Sequence, residues 1–193
     1  MRIFFGATLS PDLISEIDSM QKVLKGNIPD ARLERPEKLH ITLHFIGEFP
    51  DGAVDELFRK ASESLSSVGL VSAETTIVGM NFFPGERIKR GIWLDCVDNG
   101  TLEIFAGKLK KDSESYGVIP EERSYRPHIT IARLKHYRER KEKPFDLQKF
   151  STETKLIGQR FFPQSVALFE SILNPGSAGS QYRILRQLNL ARA

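Results

Sequence analysis

The chain has 193 residues and a formal net charge of +3, a length that suits one sizeable domain and excludes two independent domains of ordinary size. Its hydrophobic content of 40% excludes a disordered chain, and no apolar run approaches the length of a membrane-spanning helix. The mildly basic charge permits an anionic partner such as RNA without requiring one. The single cysteine, Cys96, excludes an intramolecular disulfide and is expected to be a structural strand residue in a reducing cytoplasm.

The hydrophobic pattern predicts strands that alternate with helices. Residues 1–7 are expected to be a first strand rather than a signal peptide. Ser10 is predicted to cap the first helix, and Gly26 and Asn27 to end it. Two further helices are predicted over residues 51–66 and 99–115, and further strands over residues 40–46, 70–79, 91–97, 128–134, 155–162, 165–170 and 182–190. A loop with Phe82 and Phe83 is predicted between the strands at 70–79 and 91–97, and at least one of these rings is expected in the core.

One short motif occurs twice, about half a chain apart: His40-Ile41-Thr42-Leu43 recurs as His128-Ile129-Thr130-Ile131. Because side chains alternate faces along a strand, each His shares a face with the Thr two residues later. The aliphatic residues of each motif then point into the core. Two such strands, one from each half of the chain, would line a cleft with two imidazoles and two hydroxyls.

This set of groups suits phosphate ester chemistry. Imidazole titrates near neutral pH, so one His can hold a proton while the other accepts one. Threonine hydroxyls can donate hydrogen bonds to phosphate oxygens. Two imidazoles can therefore manage displacement at a phosphodiester without a metal, and the neighbouring ribose hydroxyl is the natural leaving group of a 2′,3′-cyclic phosphate.

Three other residues near the motifs, Arg133, His44 and His136, could also face the cleft. Arg133 carries a guanidinium suited to phosphate, and it faces away from the cleft in a regular strand but inward if the strand bulges. His44 shares the face of His40 by alternation, and His136 follows the second motif; each is expected to be a strand-end or loop residue near solvent. His40 and His128 together could give two metal ligands, but no carboxylate or second cysteine lies at ligand spacing, so no metal site is expected.

The two motif blocks, residues 39–47 and 125–135, resemble those of the 2H phosphoesterase superfamily, in particular the RNA 2′,3′-cyclic phosphodiesterases once named 2′-5′ RNA ligases. Supporting similarity extends from the opening residues 2–7 to Tyr182. One departure is Ile131, where leucine is usual, and an aliphatic exchange on the core face leaves the polar face unchanged. The resemblance implies a single α+β domain over residues 1–193, with antiparallel sheets from two pseudo-symmetric lobes facing a central cleft and helices outside.

The resemblance also implies an activity: hydrolysis of RNA 2′,3′-cyclic phosphate ends to 2′-phosphomonoesters without a metal or other cofactor. His40 would be the proton donor and His128 the proton acceptor. Thr42 and Thr130 would hold the phosphate, and Arg133 would help to place phosphate or water. The resemblance fixes the acid and base roles least firmly, because two symmetric histidines can exchange these roles when the reaction runs in the other direction.

Three alternatives remain open from the sequence. The same residues would serve 2′-5′ RNA ligation, the reverse reaction, with a 5′-hydroxyl in place of water. Cleavage of 2′-5′-linked oligonucleotides or of a small cyclic nucleotide is a neighbouring activity. A non-catalytic RNA or nucleotide binder on the same fold is the alternative from a different class. A monomer with RNA or nucleotide as its partner and no membrane association is expected.

Overall fold

The computed structural model describes residues 1–84, 89–119, 124–134, 145–173 and 179–192. The helices are α1 (Pro11–Asn27), α2 (Val54–Ser66), α3 (Thr101–Glu114) and α4 (Leu147–Glu153). The strands are β1 (Arg2–Thr8), β2 (Arg32–Leu33), β3 (His40–Glu48), β4 (Val71–Ser72), β5 (Thr75–Pro84), β6 (Lys89–Val97), β7 (His128–Arg133), β8 (Arg160–Phe161), β9 (Ser165–Leu173), β10 (Ser180–Asn189) and β11 (Ala191–Arg192). Short 3₁₀ helices cover Pro36–Lys38 and Asp51–Ala53.

Within these residues nine strands form one sheet, in the order β10-β9-β1-β3-β7-β6-β5-β8 with β2 also beside β7. All neighbouring strands of this sheet are antiparallel, and β4 and β11 form a separate parallel pair. The predicted α+β class is confirmed. Both motif strands belong to this one sheet, and its two halves meet where Ile41 of β3 pairs with Ile129 of β7.

The first helix and strand form as their sequences predict. Ser10 caps α1 by accepting a hydrogen bond from the backbone N–H of Leu13, and Pro11 occupies the first turn, where its missing N–H costs nothing. The apolar stripe of α1 is buried. Strand β1 is buried on both faces because α1 and the core cover one face and a cluster of aromatic rings covers the other.

Some predicted boundaries were wrong. The predicted loop after residue 79 is instead a continuation of β5 as far as Pro84, and Phe82 is buried there, as expected for one ring of this pair. Strand β8 fills only two residues of the predicted strand at 155–162. Helix α4 was not predicted, because its seven residues are too few for a periodic apolar pattern; Asp146 caps it through the N–H of Lys149.

The expectation for His44 was also wrong. The β1–β3 register passes from Gly6↔Thr42 to Phe5↔His44, so Leu43 is an extra residue in β3. This bulge interrupts the alternation, and both Leu43 and His44 point into the core. His44 Nε2 lies 2.8 Å from Ser113 Oγ on α3, and burial lowers the pKa of His44 to about 4.

The free energy of unfolding should therefore fall in acid, partly because of His44. Since its folded pKa lies below the unfolded value of about 6.5, the unfolded chain binds the extra proton as the pH falls from 6.5 towards 4. We expect His44→Gln, which cannot titrate, to remove about 2 kcal/mol of the loss in unfolding free energy between pH 7 and pH 4.5. Denaturant unfolding of both proteins at the two pH values checks this. An equal loss in both proteins would contradict it.

Gly91 in β6 is a position of close approach. A Cβ there would collide with the ring of Phe83 and lie 2.7 Å from the carbonyl oxygen of Ala132 on β7. The Phe83 ring crosses β6 at this point and stacks on Trp93, with ring centroids 5.0 Å apart. Absence of a side chain at residue 91 thus lets β6 pair with β7 and also lets Phe83 lie flat.

Gly91→Ala is expected to lower the unfolding free energy by about 1–3 kcal/mol, the usual cost of forcing a methyl group into a packed site. Gly107→Ala in α3 is the matched control, since a Cβ there meets nothing within 4 Å and alanine favours the helix. Chemical denaturation of the two variants measures the difference. Equal stability of the two variants would rule out the close contact.

Candidate active site

The second motif strand carries the same bulge as the first. The β6–β7 register passes from Trp93↔Thr130 to Ile92↔Ala132, which leaves Ile131 as the extra residue. Ile131 and Ala132 are both buried, and Arg133 returns to the face of His128 and Thr130. The inward orientation of Arg133, one of the two that the sequence left open, is the one observed.

The four motif side chains lie on one face of the sheet, where its halves meet. Because Ile41 pairs with Ile129 in an antiparallel register, His40 lies across from Thr130 and Thr42 across from His128. His40, Thr42 and Thr130 line a cavity of about 290 Å³ together with Arg133. His128 is not among the lining residues of this cavity. A larger cavity of about 1220 Å³ lies between α1 and α4 and contains neither motif.

Both imidazoles are oriented by the main chain. His40 Nδ1 lies 2.7 Å from the carbonyl oxygen of Lys38, and His128 Nδ1 lies 2.9 Å from that of Arg126. A carbonyl can only accept, so Nδ1 carries the proton in each ring and Nε2 is left free to exchange one. In His40 that Nε2 accepts from the hydroxyl of Thr42 at 2.9 Å.

Aromatic rings surround His40. Its ring centroid lies 4.9 Å from that of Phe4, 5.4 Å from Phe169 and 5.6 Å from Tyr182. Burial among these rings lowers the pKa of His40 to about 4. Gly6 permits this packing, since a Cβ at that position would lie 2.9 Å from Cδ2 of His40. The imidazole is therefore neutral at pH 7.

His128 has a different environment. Its ring lies 4.4 Å from that of Trp93, and burial lowers its pKa from the ordinary value. Asp95, its ladder partner on β6, opposes this shift by favouring the protonated ring. Both imidazoles are thus neutral at pH 7. The surroundings of His128 disfavour a positive charge less than those of His40, because Asp95 is near His128.

Three charged residues of the cavity, Arg2, Glu34 and Lys38, were not predicted from the sequence. Glu34 lies between two cations: its Oε2 is 2.7 Å from Lys38 Nζ, and its Oε1 is 2.9 Å from Arg133 Nε. Although burial raises the pKa of Glu34, its hydrogen bonds from Lys38 and Arg133 hold that pKa below the usual value. The four-residue spacing of Glu34 and Lys38 was the available signal in the sequence.

Other expectations concern residues away from this cavity. Cys96 is buried, in agreement with a structural role. His136 lies outside the described residues. Within the residues that the structure describes, no three His, Cys, Asp or Glu side chains cluster as metal ligands would. None of the described helices is both long enough and apolar enough to span a membrane.

Known proteins resemble this chain in sequence. Residues 8–93 match the model of the LigT-like phosphoesterase family. A curated relative from Methanocaldococcus jannaschii, named RNA 2′,3′-cyclic phosphodiesterase, is 28% identical over 97% of this chain and 99% of its own length.

Solved structures share the fold over nearly the whole chain. A Thermus thermophilus protein superposes with a TM-score of 0.74 and 23% identity, covering 98% of each chain. Escherichia coli LigT in complex with 3′-AMP gives a TM-score of 0.67 and 19% identity, covering 98% of this chain and 97% of its own. With the paired motifs on one face of this fold, the chain resembles the LigT-like phosphoesterases, in sequence over residues 8–93 and in fold over nearly its whole length.

Proposed function

We propose that this chain hydrolyses the 2′,3′-cyclic phosphate at RNA ends to a 2′-phosphomonoester, without a metal or other cofactor. The observation that carries the proposal is the pair of imidazoles, each with Nδ1 bonded to a main-chain carbonyl and Nε2 left for proton transfer. Two such groups suffice for both proton transfers of the reaction. The activity for which the Methanocaldococcus jannaschii relative is named supports the substrate class.

In the proposed reaction His128 Nε2 takes a proton from water as the water oxygen bonds to phosphorus. The bond from phosphorus to the 3′ oxygen breaks, and His40 Nε2 gives its proton to that oxygen. Thr42 and Thr130 donate hydrogen bonds to the phosphate oxygens, and Arg133 pairs with their negative charge. The product is a 2′-phosphate beside a free 3′-hydroxyl. The reverse reaction, with an RNA 5′-hydroxyl in place of water, would use the same groups.

The surroundings of the two rings support this assignment of acid and base. His128 has the Asp95 carboxylate on its paired strand, which stabilises the imidazolium formed when His128 accepts a proton. His40 lies in an apolar aromatic environment that disfavours its positive charge, so once protonated it gives the proton up readily. An anionic phosphate beside His40 raises its pKa and supplies the condition for its protonation.

Replacing either histidine should abolish turnover. We expect His40→Ala and His128→Ala each to lower kcat by at least about 10²-fold, the scale of a lost general acid or base. The substrate is a short RNA with a 2′,3′-cyclic phosphate, incubated in excess EDTA, and the products are separated as 2′- or 3′-phosphates. His44→Gln is the matched control, because His44 lies on the same strand as His40 but on its core face.

A folded wild type with no turnover, or turnover that both histidine variants retain, would exclude the proposal. Tight RNA binding without turnover would favour the non-catalytic binder. Release of a 3′-phosphate would instead identify the 2′ oxygen as the leaving group.

The pH profile should be displaced towards acid. Burial lowers the pKa of both catalytic rings, so the optimum of kcat/KM, which reports the free enzyme, is expected below pH 6.5. Bound phosphate raises the pKa of His40, so the profile of kcat should lie at higher pH than that of kcat/KM. Steady-state rates from pH 4.5 to 8.5 measure both profiles. Coincident profiles centred above pH 7 would contradict the low pKa values.

A further inference from the structure

Glu34 lies where a phosphate-binding cleft would ordinarily have no carboxylate. It lines the same cavity as His40 and Thr42, and its side chain is only 7% exposed. Both of its oxygens are engaged, one by Lys38 and the other by Arg133. Lys38 is itself 9% exposed and lies over the ring of Tyr182, 4.6 Å from its centroid. A buried carboxylate thus partly neutralises the two cations that would meet a phosphate.

The fold holds this carboxylate in place. The backbone N–H of Glu34 donates to the carbonyl oxygen of Ile131, the extra residue of the β7 bulge, at 2.9 Å. Gln21 of α1 is fully buried, and its Nε2 donates to the carbonyls of both Glu34 and Ile131, at 2.9 and 2.6 Å. The backbone of Glu34 is therefore held by Gln21 and Ile131, which do not line the cavity. The side chain of Glu34 contacts the two cations.

The charges of this cluster distinguish substrate from product. Lys38, Arg133 and Glu34 together carry a net charge of +1. A 2′,3′-cyclic phosphate is a diester with a single negative charge, whereas a phosphate monoester carries nearly two at neutral pH, since its second pKa is about 6. Without Glu34 the two cations would complement the product better than the substrate.

We propose that Glu34 is a specificity-determining residue that keeps its cluster with Lys38 and Arg133 at one positive charge, so that the site favours the cyclic diester over the monoester product. The inference rests on the proposed function for the identity of substrate and product. It also gives Lys38, together with Arg133, direct contact with the bound phosphate. Arg2 also lines the cavity, with its guanidinium over the Phe45 ring, 5.0 Å from the ring centroid, and it keeps its charge in every comparison below.

Four proteins distinguish the effect of cluster charge from the effect of side-chain shape. They are the wild type, Glu34→Gln, Lys38→Met and the double variant. Their cluster charges are +1, +2, 0 and +1. Glutamine keeps one oxygen for the Arg133 guanidinium and removes the negative charge, together with the oxygen that faces Lys38. Glu37→Gln is the matched control, because Glu37 is 60% exposed on the same short 3₁₀ helix as Lys38, with Arg35 3.8 Å away.

The measurement is calorimetric binding of adenosine 2′-monophosphate at pH 8, where the monoester is a dianion. We expect Glu34→Gln to bind it about tenfold more tightly than the wild type and Lys38→Met about tenfold more weakly, as a unit charge near the phosphate dictates. The double variant should return to the wild-type affinity, and Glu37→Gln should leave it unchanged. In assays with cyclic phosphate RNA, product inhibition should follow the same order.

Unchanged or weaker binding by Glu34→Gln would overturn the proposal, and so would a double variant that differs from the wild type as much as either single variant does. A purely structural role for Glu34 predicts weaker binding in both variants that lack it. Thermal unfolding identifies a variant that fails to fold; in that case Lys38→Met alone must still bind more weakly than the wild type. Because binding is measured without turnover, a chain inactive on cyclic phosphate would refute the proposed function while these affinities still decide the role of Glu34.

Discussion

The backbone pairing of the two motif strands is confined, in the described residues, to Ile41 and Ile129, and the geometry of the cleft depends on it. Their side chains are completely buried, so the pair is fixed from the core side. A slip of one residue in either strand would turn that strand's His and Thr into the core. Both strands bulge two residues after the paired isoleucine, which ends the regular alternation at the same point in each half. The cleft is thus a consequence of two strands that pair at one point and then depart from regular geometry.

Burial disfavours the positively charged form of both imidazoles, and in the proposed reaction this would couple the second protonation of His40 to the arrival of an anion. The aromatic rings around His40 make its charged form unfavourable until a phosphate is present. Glu34 forms ion pairs with Lys38 and Arg133, the two cations that would contact a phosphate in the proposed site. If the proposed mechanism holds, the general acid would form only with an anionic ligand in place.

Local rules were enough to predict the parts of the site that obey local periodicity. Strict alternation placed His40 with Thr42 and His128 with Thr130 on one face. The same rule failed for His44, because a bulge depends on the register with a neighbouring strand that no local pattern contains. Glu34 was missed for a related reason: its contact with Arg133 joins residues 99 positions apart. Repetition within the sequence identified the motifs, whereas the electrostatics between them arose from tertiary packing.

The carbonyl that orients His40 belongs to Lys38, whose side chain takes part in the charge cluster of the cavity. One residue thus contributes to the site twice, and the two contributions are chemically independent. Any amino acid at position 38 supplies the same carbonyl, so the imidazole keeps its orientation whatever side chain is present. Natural variation at this position can therefore retune the charge offered to a ligand while the proton-transfer geometry is inherited intact. A side chain of different charge at residue 38 would therefore change which anions the proposed site prefers, while His40 keeps the carbonyl that orients it.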